Sequence, residues 1–167
     1  VAGGGRLPLS DGLPATSVSL GDPNGLALAA DGALYVTTSS RVLRLDRATG
    51  LVWVVAGPGT GGELGDGGPA REATIIPAGV ALDEAGNIYI ADAGGNHRVR
   101  RIDAMTGIIT TVAGGGVYRG DGPATTLALG SLAGVAVAGP HLSLIEGRSG
   151  LVRHLDLPTG ILTTLAG

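Results

Sequence analysis

The tripeptide Val-Ala-Gly stands at Val1, Val55 and Val112, and Leu-Ala-Gly at Leu165, so one signal returns after 54, 57 and 53 residues. A period of that length in a chain of 167 residues leaves room for three like units and little else. Each unit must then be one supersecondary element that buries its apolar faces against a neighbour. The internal order is the same in every interval. A Gly-rich loop with Asp-Gly and Pro-Ala leads to a G-[LV]-A-[LV] segment, a turn and a second apolar segment. An Arg-containing third segment ends in [IL]-D, and a Thr-Gly turn leads into a fourth. We read the chain as a single repeat segment with units at about 1–54, 55–111 and 112–164.

The short apolar segments are strands, because 32 Gly and 9 Pro interrupt the chain too often for long helices. Disorder is excluded by the same composition, which is 44% apolar and only 15% charged. First strands are predicted at Gly25–Ala29, Gly79–Leu82 and Gly134–Ala138, and second strands at Ala33–Thr37, Asn87–Ala91 and His141–Ile145. Third strands fall at Val42–Asp46, Arg98–Asp103 and Leu151–Asp156, and fourth strands at Leu51–Ala56, Ile108–Ala113 and Ile161–Ala166. Compact turns at Asp31, Ala85 and Gly139, then DRATG, DAMTG and DLPTG, make each group an antiparallel meander. Four antiparallel strands every fifty-odd residues is the pattern of a β-propeller blade, which makes the fold class all-β.

The segment GVALDEAGNIYIADAGGNHRVRRIDAMTGIITTVAG, Gly79 to Gly114, resembles an NHL repeat and includes the Asn96-His97 pair. The GDGGPA of Gly65 to Ala70 resembles the inter-blade loop of bacterial secreted members of that family. The outer copies depart from the pattern: TTSSR and EGRSG replace the loop that carries Asp92, Asn96 and His97 in the middle copy. The resemblance implies a six-bladed propeller of the extracellular space or cell envelope, used mostly as a rigid binding platform, with a minority of relatives acting as lyases or hydrolases.

Three blades cannot close a ring, since propellers need four or more. Runs such as LVWVVA and IIPAGVAL read as strands buried on both faces, so two bare terminal faces are expected to need cover. Completion to six blades is expected either from a second copy in a two-fold pair or from the remainder of a longer polypeptide. Val1-Ala2-Gly3 reads as the outer strand of a preceding blade.

Partners are bounded by exclusion. A net charge of −3 gives no electrostatic reason for nucleic acid or anionic membrane. All eleven basic residues are Arg, which removes Schiff-base and P-loop lysine chemistry, and zero Cys removes thiol catalysis and disulfides. The uncharged window Gly122 to Ile145 holds two Pro, four Gly and only thirteen Ala, Val, Leu or Ile, and reads as two buried strands rather than a membrane span. A protein or small ligand of unknown kind is left as the expected partner.

Long loops gather on one face of such a blade set, and that face is the expected binding face. Asp66, Asp92, Asn96, His97, Arg98, Tyr118 and Arg119 are its candidate binding residues. Asp11, Asp66 and Asp121 recur at equivalent positions and could line a mouth that holds Ca²⁺, the one cofactor considered. The competing reading has each aspartate accept its own backbone N–H groups and start a short helical turn. Arg44, Arg101 and Arg153 are read as repeated braces for carboxylates. His97, His141 and His154 are expected apart, which argues against a zinc site. GPGTGG at Gly57 to Gly62, with Asp83 downstream, matches a dinucleotide fingerprint by chance, since no long helix can follow it. Trp53, where the other copies have Thr110 and Thr163, reads as packing or an edge contact. No nucleophile elbow, zinc-protease or EF-hand pattern occurs, so the residues give no argument for an enzyme.

Overall fold

The computed structural model describes residues 2–59 and 65–167. Its strands form three antiparallel sheets. The first holds β1 (Leu13–Pro14), β2 (Gly25–Leu28), β3 (Leu34–Thr37), β4 (Val42–Leu45) and β5 (Leu51–Ala56). The second holds β6 (Pro77–Leu82), β7 (Ile88–Asp92), β8 (Arg98–Ile102) and β9 (Ile109–Gly114). The third holds β10 (Gly122–Pro123), β11 (Leu132–Ala138), β12 (His141–Glu146), β13 (Leu151–Asp156) and β14 (Ile161–Ala166). Four strands of each sheet follow chain order, as in propeller blades.

Each blade protects its outer edge with the loop that precedes it. β1 pairs with β5, β10 pairs with β14, and Pro69 bridges to Ile108 beside β9. An unpaired fourth strand would present a row of free N–H and C=O groups, and the returning loop satisfies part of it. Three-residue 3₁₀ turns, Ala70–Glu72 and Ala124–Thr126, follow these edge pairs and bury Ala70 and Ala124.

The Thr-Gly turns are set by their aspartates. Asp46 Oδ1 accepts the N–H groups of Ala48 and Thr49, both at 2.9 Å, Asp103 Oδ1 those of Met105 and Thr106, and Asp156 Oδ1 that of Thr159. The glycine that ends each turn, Gly50, Gly107 or Gly160, has φ near +70° (73°, 69° and 69°), which a side chain would oppose.

The blades stack through apolar cores. Ile88, Ile90 and Ile102 of the second blade pack towards the first with Val42, Ala56 and Ile75. Tyr89, Ala91 and Val99, on its other face, pack with Leu142, Leu144 and Leu155 of the third. β7 is therefore buried along its whole length. LVWVVA is different: it is the outer strand β5, and Trp53 is 41% exposed. The window Gly122 to Ile145 holds β10, β11 and most of β12, and β11 and β12 are buried on one face only. Among the described residues no helix is long and apolar enough to cross a membrane.

First strands crowd together where the blades converge. A Cβ on Gly25 would lie 3.0 Å from Gly79 Cα, and one on Gly79 would lie 3.1 Å from Gly134 Cα. A Cβ on Gly134 would meet nothing within 4 Å.

The two end faces are unlike, which corrects the expectation of two bare ones. On the leading face of the first blade, Ala2, Leu9, Leu13 and Leu20 of its own loop pack against Val36, Leu43 and Val52, leaving Leu26 and Leu28 exposed. On the trailing face of the third blade no described loop gives such cover, and Gly134, Ala136, Ile145 and Val152 line an open apolar groove. Val1 lies outside the described residues, and Gly3 donates its N–H to the Ala15 carbonyl in a loop.

Candidate functional site

Strand register decides which residues are equivalent. Leu43 faces Val36 and Val54, Arg100 faces Ile90 and Thr111, and Arg153 faces Leu144 and Thr164, so these three occupy one position. Arg44, Arg101 and His154 occupy the next. The expected trio of Arg44, Arg101 and Arg153 is thus out of register by one residue, which in a strand means opposite faces.

Arg100 is fully buried and bridges two of the candidate carboxylates. Its Nη2 and Nε lie 2.6 and 3.0 Å from Asp66 Oδ1, and its Nη1 lies 3.4 Å from Asp92 Oδ2. Asp66 also accepts the Thr111 hydroxyl at 2.6 Å. Asp92, itself buried, accepts the Ile76 N–H and the Asn96 side-chain amide, both at 2.8 Å. A line of charge-assisted bonds runs across the blade from the outer loop to the end of β7.

The third blade repeats the device with a longer acid. Arg153 Nη1 reaches Glu146 Oε1 at 3.0 Å, and its Nη2 reaches the Gly120 carbonyl and, at 3.4 Å, Asp121. Glu146 takes the Gly130 N–H at 2.6 Å, and Asp121 takes the Thr164 N–H at 2.9 Å. In the first blade Leu43 stands where the arginine would be and Thr38 where the acid would be. Asp11 then accepts the Val54 N–H at 2.7 Å and pairs outward with Arg71. Burial opposes the charge on Asp11, but the Val54 N–H and the Arg71 guanidinium outweigh it and hold the carboxyl below its usual range.

These contacts correct both readings of the recurring aspartates. Asp11, Asp66 and Asp121 each bind the fourth strand of their own blade, at the outer rim, and do not line a common mouth. Nor do they cap the short turns, whose N-cap prolines, Pro69 and Pro123, carry no side-chain cap. Among the described residues no group of three or more His, Asp or Glu is placed to hold a metal.

The remaining candidates disperse. His97 Nδ1 lies 3.2 Å from the Gly130 carbonyl of the next blade, with φ of 48°. Arg98 lies against the backbone of Gly115, where a Cβ would meet its Nε at 2.3 Å. Tyr118 is exposed and joins the loop through backbone bonds to Thr126 and Ala128, and Arg119 beside it is exposed. The rings of His141 and His154, expected apart, sit 4.9 Å from each other, while His97 belongs to another blade. Of GPGTGG, Thr60 to Gly62 lie outside the described residues, and the next described helical element is the turn Ala70–Glu72.

Sequence reasoning missed Arg100 as the centre of the polar line. The signal for Arg100 was available: an odd Arg-Val-Arg-Arg string in which one Arg must face inward by strand alternation.

Residues 74–102 match the NHL repeat family. The chloroplastic protein Suppressor of Quenching 1 of Arabidopsis thaliana is 36% identical over 100 residues, covering 59% of this chain and 9% of that protein. A structural genomics protein of unknown function from Bacteroides thetaiotaomicron superposes with a TM-score of 0.71 at 24% identity, over 90% of this chain and 37% of the other. A gluconolactonase of Xanthomonas campestris superposes with a TM-score of 0.62 at 18% identity, over 87% of this chain and 48% of its own. The chain therefore spans less than half of each of these proteins, and the structural likenesses establish its propeller fold.

Proposed function

We propose that this chain is a non-catalytic NHL-type propeller segment that serves as a binding or structural assembly module. Its three blades are completed to six by a second copy or by further blades of a longer polypeptide. The observation that carries the reading is the glycine ladder: Gly25 meets Gly79, Gly79 meets Gly134, and Gly134 meets nothing. An innermost strand beginning with glycine fits that place, and it would cover the groove at Ile145 and Val152. The polar candidates support a structural role, because Asp66, Asp92, Glu146 and Asp121 are held by buried arginines or backbone N–H groups rather than turned towards a cavity.

Mass in solution tests completion. A 167-residue chain at twice 16.3 kDa supports the paired half-rings, and natural polypeptide of higher mass carrying further blades supports the longer chain. A stable, monodisperse monomer that is also the whole natural product overturns both. The lyase or hydrolase alternative rests on His97, the one non-glycine with positive φ among the described residues. Turnover lost in a folded His97→Ala protein would establish that alternative.

A further inference from the structure

Two departures from the repeat meet in one place. Trp53 stands where the other blades have Thr110 and Thr163, and Arg71 stands where the third blade's loop has Thr125. A cavity of about 700 Å³ opens at that point between the first and second blades, lined by Trp53, Tyr35, Asp11, Arg71, Asp103 and Thr106 among others. Its volume is in the range of small-molecule sites. It lies at the outer rim beside the Thr-Gly turn of the second blade, away from His97 and Arg98 on the long-loop face.

The chemistry of the lining narrows the ligand. Trp53 is 41% exposed and presents an apolar ring face. The Arg71 guanidinium is held against β5, its Nε donating to the Val54 carbonyl at 2.8 Å and its Nη2 pairing with Asp11. Nη1 has no partner among the described residues, so a fixed donor is left beside a fixed acceptor. Asp103 is likewise paired, with Arg101 at 2.9 Å. Because both signs are present and already matched, neither an anion nor a cation gains net Coulomb energy here. A ligand with one apolar face and several hydroxyl groups uses the ring, the donor and the acceptors together.

We propose that this cleft binds a neutral saccharide, its C–H face on Trp53 and its hydroxyls on Asp11 and Arg71. The proposal stands apart from ring completion, since the cleft lies wholly between blades present in this chain. Trp53 is the sole tryptophan, so intrinsic fluorescence reports the site directly.

The test titrates the full chain with neutral glucose, xylose and N-acetylglucosamine oligomers and with acidic glucuronate oligomers. Arg71→Thr and Trp53→Thr borrow residues from the equivalent positions of other blades and are expected to keep the parent's circular dichroism. A saturable emission change with a neutral oligomer, weakened tenfold or more by Arg71→Thr and abolished calorimetrically by Trp53→Thr, supports the proposal. It is overturned if no neutral oligomer changes the emission at millimolar concentration, if the glucuronates bind more tightly, or if both folded variants bind like the parent.

Discussion

The first and second blades have the same backbone and opposite solutions at one buried position. Leu43 and Arg100 are both fully buried, yet Leu43 sits among Val36, Leu45 and Val52, whereas Arg100 sits between Asp66 and Asp92. The difference extends to the neighbours: Thr38 accompanies the leucine and Asp92 accompanies the arginine. A buried charge is tolerable only when its partners are buried with it, so this position can be exchanged only as a set. The exchange also explains the rim. With no arginine beneath it, Asp11 pairs outward with Arg71, and the first blade gains a polar group at the cleft that the second spends internally.

Breaking the set gives the largest expected effect. Arg100→Leu leaves Asp92 buried without its cation and lowers unfolding free energy by about 3–5 kcal/mol. Adding Asp92→Thr, which copies the first blade, restores a good part of it. Urea denaturation of both variants checks this, and a single variant within about 0.5 kcal/mol of the parent, as for a surface change, would refute the comparison. The reverse exchange comes next. Leu43→Arg buries a guanidinium with Thr38 where the other blades have an acid, and lowers stability by roughly 2–4 kcal/mol; Thr38→Asp in the same chain recovers part of that.

The fold was legible because strand length, turn chemistry and period agree with one another in every unit. Asp-x-x-Thr-Gly states both where a strand ends and which backbone N–H groups the aspartate takes. The site was less legible. Arg100 and Arg101 are adjacent letters on opposite faces of a strand, and only register separates the buried one from the partly exposed one. Asp66 and Arg100 are 34 residues apart, and nothing local joins them. The covering of the leading face by residues such as Leu9 and Leu20 was missed for a related reason: in sequence they read as loop, and only packing makes them core.

The inner strands offer a smaller, sharper contrast between the second and third blades. Gly79→Ala forces a methyl to 3.1 Å from Gly134 Cα, backbone that can yield only by parting the blades. A loss of about 1–3 kcal/mol is expected. Gly134→Ala enters open space and leaves the isolated chain within about 0.5 kcal/mol of the parent. If completion occurs at this face, the same harmless substitution weakens association, so sedimentation and denaturation diverge for Gly134 and agree for Gly79.

The least effect is expected at the three Thr-Gly turns, where the blades differ only in what surrounds a shared aspartate. Backbone N–H donors, those of Thr49, Thr106 and Thr159 foremost, hold Asp46, Asp103 and Asp156 below the usual carboxylate range. Arg44 and Arg101 reinforce the first two, while His141 and His154 reinforce the third. Since the folded carboxyls release their protons at lower pH than the unfolded ones, near 3.8, their contribution is complete above that value and disappears as pH falls through the folded pKa. Melting temperature is therefore expected to stay level on this account from neutral pH to about pH 5 and to drop below about pH 4. Asp103→Ala should lower the neutral-pH melting temperature slightly and shrink the acid drop. Asp156→Ala should do the same, since its carboxylate accepts the Thr159 N–H in the equivalent turn. An acid drop left unchanged in both variants would show that these turns do not set the low-pH loss of stability.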